Sequence, residues 1–192
     1  MTRNVLLLFL VGCIVLAAHG TGTTLWDVEA EEDGIRVESR EVEGSGVRAF
    51  HATVDVNGSA ESILALMDDP ASYLHWVHGC SHSVFLSKPD FFHRLSYQIN
   101  DMPFLITDRD LVMWVVVTAE AQGEYQIWMS NRPDAHPEQG LVRVNRLQGF
   151  YRLIPLDAEH TRIVWEQHIE PGGYLPDWLV NQLLRNIPLN SL

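Results

Sequence analysis

Two cysteines are all this chain has, and one of them, Cys13, lies in an apolar segment near the N-terminus. If that segment is removed, Cys80 stands alone and no disulfide can form within the chain. The fold must then rest on its apolar core. Also missing are a GxSxG elbow, a glycine-rich phosphate loop and a CxxC pair, the patterns that position a serine nucleophile, a nucleotide or a thiol couple. No internal repeat, low-complexity tract or interior linker interrupts the chain. Basic residues are scarce as well: 13 Lys and Arg face 25 Asp and Glu, for a formal charge of −12. Such a surface repels phosphate backbones and anionic headgroups. Nucleic acid is therefore excluded as an expected partner, and any membrane contact is expected to be hydrophobic, transient or protein-mediated.

Only one long apolar run is present. Arg3 precedes fourteen mostly apolar residues, Val5 to Ala18, and Ala18-His19-Gly20 places small residues where a signal peptidase reads. Fourteen residues fall short of the roughly 20 that cross a bilayer as a helix. We expect residues 1–20 to be a cleaved signal peptide and 21–192 to form one domain, exported to the periplasm or secreted. Two alternatives stay open. Leu10-Val11-Gly12-Cys13 resembles a bacterial lipoprotein box, which makes Cys13 an acylated anchor; against it, Ile14-Val15-Leu16 prolong the apolar run and only Val5 to Leu10 precede the motif. An uncleaved anchor is the other.

Downstream, strands dominate. Ile35–Val42 and Val47–Val56 read as two strands joined by Glu43-Gly44-Ser45-Gly46, after a short acidic lead-in, Trp26 to Glu32, that suggests the remnant of a first helix. Ser59 and Ser62 open a helix over Ala60–Met67 with Ile63, Leu64 and Met67 on one side; Asp68-Asp69-Pro70 breaks it, and Ala71–Val77 reads as a second short helix. Further strands are expected over Ser83–Leu86, Phe91–Ile99, Leu111–Thr118, Tyr125–Asn131, Leu141–Leu147, Phe150–Leu156 and Arg162–Ile169. In the last, Arg162, Glu166 and His168 alternate with Ile163, Trp165 and Ile169, the period of a half-buried strand. Gly172-Gly173 follows, then Pro176 and Asp177 as a helix start, then Leu179, Val180, Leu183, Leu184 and Ile187 as one greasy helix face. This order of elements is α+β. Pro188 is expected to kink or end the closing helix, leaving either a clipped lid or a chain that continues.

The block from His160 to Leu184, with its aromatic strand, Gly-Gly, Pro176-Asp177-Trp178-Leu179 and Asn181, resembles the C-terminal part of the StAR-related lipid-transfer (START) domain family. Met102 to Asp110, MPFLITDRD, is similar to the family's proline-containing loop and Arg-Asp pair, and the apolar strand LVMWVVV follows. Weaker matches are Trp26, Asp33-Gly34-Ile35 with Arg40, Trp76, and Gly149-Phe150-Tyr151 with Pro155. Together they run from Trp26 to the last residue. The resemblance implies a helix-grip fold, a curved antiparallel sheet around a C-terminal helix and an apolar tunnel. Sterol-carrying members place an acidic and a basic side chain inside that tunnel. The corresponding strands here carry Leu95 and Ser96 on one side and Val115 on the other, which leaves sterol specificity unsupported and implies a plainer, more hydrophobic lumen.

His75, His78, Cys80 and His82 suit zinc or copper by type, but their spacing matches no compact site, and an exposed polar edge anchored by Trp76 is the plainer reading. No metal and no cofactor are expected. Cys80 reads as a small buried hydrophobe, and the carboxylates lie mostly in turns or on the polar phase of strands. Arg109-Asp110 enters a strongly apolar strand, so each charge needs a partner: either a structural salt bridge or cap, or Arg109 meeting a ligand headgroup at the tunnel mouth. Trp76, Trp114, Trp128, Phe150, Trp165 and Trp178 are either core or tunnel lining. The expected walls are Leu111, Met113, Val115, Ile163, Trp165, Leu179 and Leu183, with Trp178 as lid, Gly172 and Gly173 as lid hinge and the Met102–Thr107 loop opposite. The expected function is non-catalytic binding of one lipid or other hydrophobic molecule by a monomer. The alternative is an enzyme of cyclase or aromatase type on the same scaffold, which needs two or more polar residues projecting into the lumen. Intact-mass analysis of protein purified from cell envelopes should find a chain beginning at Thr21. Acyl groups on Cys13 would identify the lipoprotein instead.

Overall fold

A computed structural model describes residues 25–103 and 105–192; the leader with Cys13, and Phe104 of the mouth loop, lie outside the described residues. Among these residues the chain forms ten strands and three helices. They are β1 (Asp27–Glu32), β2 (Ile35–Val42), β3 (Ser45–Asn57), α1 (Ala60–Met67), α2 (Tyr73–Trp76), β4 (Cys80–Ser87), β5 (His93–Asn100), β6 (Arg109–Ala119), β7 (Tyr125–Asn131), β8 (Val142–Arg143), β9 (Arg146–Pro155), β10 (His160–Glu170) and α3 (Asp177–Ser191). The strands make one curved sheet in the order β1-β2-β3-β10-β9-β7-β6-β5-β4, antiparallel except that β8 pairs parallel with β6. With α3 gripped by the sheet, this is the helix-grip architecture.

Strand alternation builds the core. On β10, Ile163, Trp165 and Ile169 are buried, while Arg162 pairs with Asp55 at 2.7 Å and Glu166 with Arg40 at 2.8 Å on the outer face. Helix α1 is capped by Ser59, whose hydroxyl accepts from the Ser62 N–H; it packs on β9 while α2 packs on β4. None of the described helices is long and apolar enough to cross a membrane.

Three sequence expectations are corrected. The acidic lead-in is strand β1, not a helix: Asp33 and Gly34 both take positive φ and close a two-residue hairpin onto β2. Leu141–Leu147 and Phe150–Leu156 are not two similar strands. The interruption falls at Val144-Asn145, because Val142 and Arg143 leave to pair with Arg109 and Asp110, and Arg146–Pro155 is one strand running straight through Gly149. Finally, Pro188 is buried within the last turn of α3 and does not end it, since the Leu192 N–H still reaches the Pro188 carbonyl at 3.0 Å.

Gly149 is a glycine for packing reasons. A Cβ there would lie 2.5 Å from the Glu166 carbonyl oxygen and 3.0 Å from Gln167 Cα, both backbone of β10. Gly149→Ala is therefore expected to cost about 1–3 kcal/mol in urea unfolding. An unchanged midpoint would mean that β9 and β10 tolerate a wider separation.

Candidate functional site

The lumen is built where α3 crosses the concave face of the sheet. At 100° per residue, Val180, Leu183, Leu184 and Ile187 share one helix face, and these four line the mouth chamber together with Leu111 and Ile169. Two side chains hold the helix down. Asn181 accepts the Arg48 N–H at 2.9 Å and donates to the Gly46 carbonyl at 3.1 Å, pinning α3 to the β2–β3 hairpin. Near its other end, the Ser191 hydroxyl accepts the His78 N–H at 3.0 Å.

The mouth chamber has a volume of about 130 Å³. An inner chamber of about 60 Å³ shares His78, Asn100, Leu111, Ile169 and Ile187 with it. A dry cavity of about 150 Å³ suffices for benzene, whereas drug-sized ligands occupy about 300–1,000 Å³. At this size the lumen holds a ring or a short chain and not a whole lipid.

Leu111 lines both chambers; Met113, Val115 and Trp165 line the inner one and Leu183 the outer. Ile163 does not reach the lumen, being buried in the core between β3 and β9. Trp178 is 68% exposed: two residues before Val180 it stands about 160° around the helix from the roof face, so it is no lumen wall. Leu179, half-buried, lies on the flank of that face and outside both chambers. Of the other aromatics, Trp114, Trp128 and Phe150 occupy the opposite strand phase and sit on the outer face, Trp128 and Phe150 in contact at 5.1 Å.

The lumen is less plain than the sequence suggested. On the inward phase of β5 stand Arg94, Ser96, Gln98 and Asn100, all polar, facing the apolar Leu111, Met113 and Val115 of β6. Ser96, Gln98 and Asn100 line the inner chamber, as do Tyr73 and Gln167. Burial pushes the Tyr73 hydroxyl up to about 12, and it donates to the Met67 carbonyl at 2.9 Å. The signal for this stripe was present, an alternation of polar residues from 94 to 100, but alternation does not say which phase faces inward.

Arg109 and Asp110 point to opposite faces of β6. Arg109 is buried and touches the mouth chamber, yet its donors serve backbone: Nε to the Pro171 carbonyl at 3.3 Å, Nη2 to Gly172 at 3.1 Å, and Nη1 to Thr107. It latches the turn at Gly172 and Gly173, which hold φ of 70° and 72°; burial lowers its pKa. Asp110 receives Arg143 Nε and Nη2, each at 2.8 Å, and the Tyr97 hydroxyl at 3.2 Å. Arg143 also donates to the carbonyls of Pro133, His136 and Pro137. Cys80 is buried and its thiol is pushed up by that burial. Among the described residues no group of three or more His, Cys, Asp or Glu side chains is placed to hold a metal: His82 packs on Tyr97 at 5.9 Å while His78 stands at the lumen rim.

The Arg143 guanidinium holds the Asp110 carboxyl below the usual carboxylate range. A depressed folded-state value stabilises the fold above the ordinary Asp value of about 3.9, and that contribution fades as pH falls through the lower folded value. Asp110→Asn is expected to cost about 3–5 kcal/mol at neutral pH by leaving a buried cation unpaired. It should also flatten the acid limb of stability below pH about 4, measured by chemical unfolding across pH.

The START domain family model matches residues 22–191. An uncharacterised protein of Pseudomonas aeruginosa is 30% identical over 192 residues, covering 99% of this chain and 95% of that one. The crystal structure of a STAR-related lipid transfer protein of Xanthomonas axonopodis superposes with a TM-score of 0.80 at 28% identity, over 86% of this chain and 93% of that one. An aromatase/cyclase of Streptomyces shares the fold alone, with a TM-score of 0.53 at 15% identity over 75% of this chain and 86% of that one. A sheet that grips its last helix, with a hollow beneath it and a matching family profile from residue 22 to 191, makes this chain a member of the START domain family.

Proposed function

We infer that this protein binds one hydrophobic or amphipathic molecule, a lipid or a molecule of similar character, in the lumen beneath α3 and carries it without altering it. The observation that supports this most directly is the pair of neighbouring chambers beneath α3, the outer roofed by Val180, Leu183, Leu184 and Ile187 and the inner sharing Ile187 with it. Burial from water drives the binding: eight methylenes contribute about 6 kcal/mol, most of the roughly 8 kcal/mol that micromolar affinity represents. Entry requires α3 to lift about Gly172-Gly173, breaking the side-chain tethers at Asn181 and Ser191. Exposed Trp178, Tyr174 and Leu105 give the acidic surface apolar points for brief contact with a membrane, in the periplasm or outside the cell.

Catalysis on a hydrophobic substrate is the second reading, and the polar lumen side, with His78 at its rim, favours it. Acid–base work needs groups in mutual reach. The likeness to a STAR-related lipid transfer protein, at a TM-score of 0.80, supports carriage over chemistry.

The test is saturable uptake of a fluorescent acyl probe from phosphatidylcholine vesicles, with native mass spectrometry of the protein from its own envelope. Wild type should take up the probe and release it unchanged in mass. Leu111→Trp, which fills both chambers, should cut uptake at least tenfold. Absence of bound lipid together with absence of uptake would end the carrier reading, and a changed ligand mass would favour the enzyme.

A further inference from the structure

Arg94 is fully buried, at 0% exposure, and its charge is only partly answered. Its Nη1 donates to the Asp68 carboxylate at 2.7 Å. Lys88 claims the same carboxylate at 2.6 Å, so two cations share one anion. Phe85 adds a ring face 5.6 Å from the guanidinium carbon. Among the described residues Nε and Nη2 have no acceptor. Buried donors left unmade cost about 1–3 kcal/mol each, so an acceptor that reached this edge would bind favourably.

Place decides what that is. Arg94 lies directly across the ladder from Val115 and two residues from Ser96 on the same strand face, and both of these line the inner chamber. Tyr73, another lining residue, is near enough to feel the Arg94 charge. The unmet edge therefore lies next to residues of the inner chamber, although Arg94 itself lines neither chamber and is reached only past their side chains. Parallel N–H bonds from Nε and Nη2 match the two oxygens of a carboxylate, and an inner chamber of about 60 Å³ suits a small headgroup at the end of a chain. From these observations we propose that the lumen takes a single-chain carboxylic amphiphile whose headgroup pushes past the inner chamber's side chains to place its carboxylate on Arg94, with its tail toward the mouth. The proposal rests on the lumen being the ligand site.

Calorimetry with decanoate and decan-1-ol, equal in chain length, tests it. Wild type should bind decanoate at least tenfold more tightly. Arg94→Met should erase that preference while keeping the alcohol's affinity, and Asp68→Asn, which frees the guanidinium, should keep or widen it. Equal binding of both ligands by wild type overturns the carboxylate site and leaves hydrophobic carriage standing. Binding of neither sinks the lumen reading as well. If Arg94→Met fails to fold, Asp68→Asn decides: a preference that shrinks or vanishes overturns the proposal.

Discussion

Two charges adjacent in sequence and both buried set the terms for much of this molecule. Strand pleating sends Arg109 and Asp110 to opposite faces of β6, and neither can be left unpaired without a cost of several kcal/mol. Arg109 therefore draws in the carbonyls of Pro171 and Gly172, which fixes where the chain turns from β10 toward α3. Asp110 draws in Arg143, and Arg143 in turn gathers three carbonyls of the 133–137 turn. The parallel pairing of β8 with β6, the break between β8 and β9, and one wall of the mouth go with these two obligations.

Helix α3 is held differently. Its roof is apolar contact, but its position depends on the amide of Asn181 and the hydroxyl of Ser191, single side chains at the two ends. Hydrogen bonds of this kind contribute about 1 kcal/mol each, weak enough to exchange for water. The joint at Gly172-Gly173, by contrast, is clamped by a buried guanidinium. Light tethers beside a clamped turn are consistent with the lifting of α3 proposed above. The lumen beneath is two-sided, apolar from β6 and polar from β5, which fits an amphiphile better than a purely hydrocarbon guest.

Much of the sheet could be read from residues. Ile35–Val42, Ala60–Met67 and Tyr125–Asn131 form over those spans, because alternation, a serine cap and turn glycines act locally. Errors arose where local rules conflict with distant partners. Gly149 reads as a break, yet it is a close approach to β10. Trp26 to Glu32 reads as the remnant of a helix, yet Asp33-Gly34 closes it into a hairpin whose edge can stay solvated. On α3 the greasy stripe was legible, but placing Trp178 and Leu179 at the lumen required its rotation about the axis, and hydrophobicity alone does not give that angle.

Sequence by itself determined the class of fold, the order of most of its elements and the excess of acidic residues, since these follow from composition and short-range periodicity. It also carried the family motifs. Only the tertiary structure decided which strand phase faces inward, what Arg109 and Asp110 hold, and that Arg94 lies buried with donors unmet. Each of these depends on partners 26 to 63 residues away in the chain. No local pattern encodes such pairings; the closing of the sheet around its last helix brings them together.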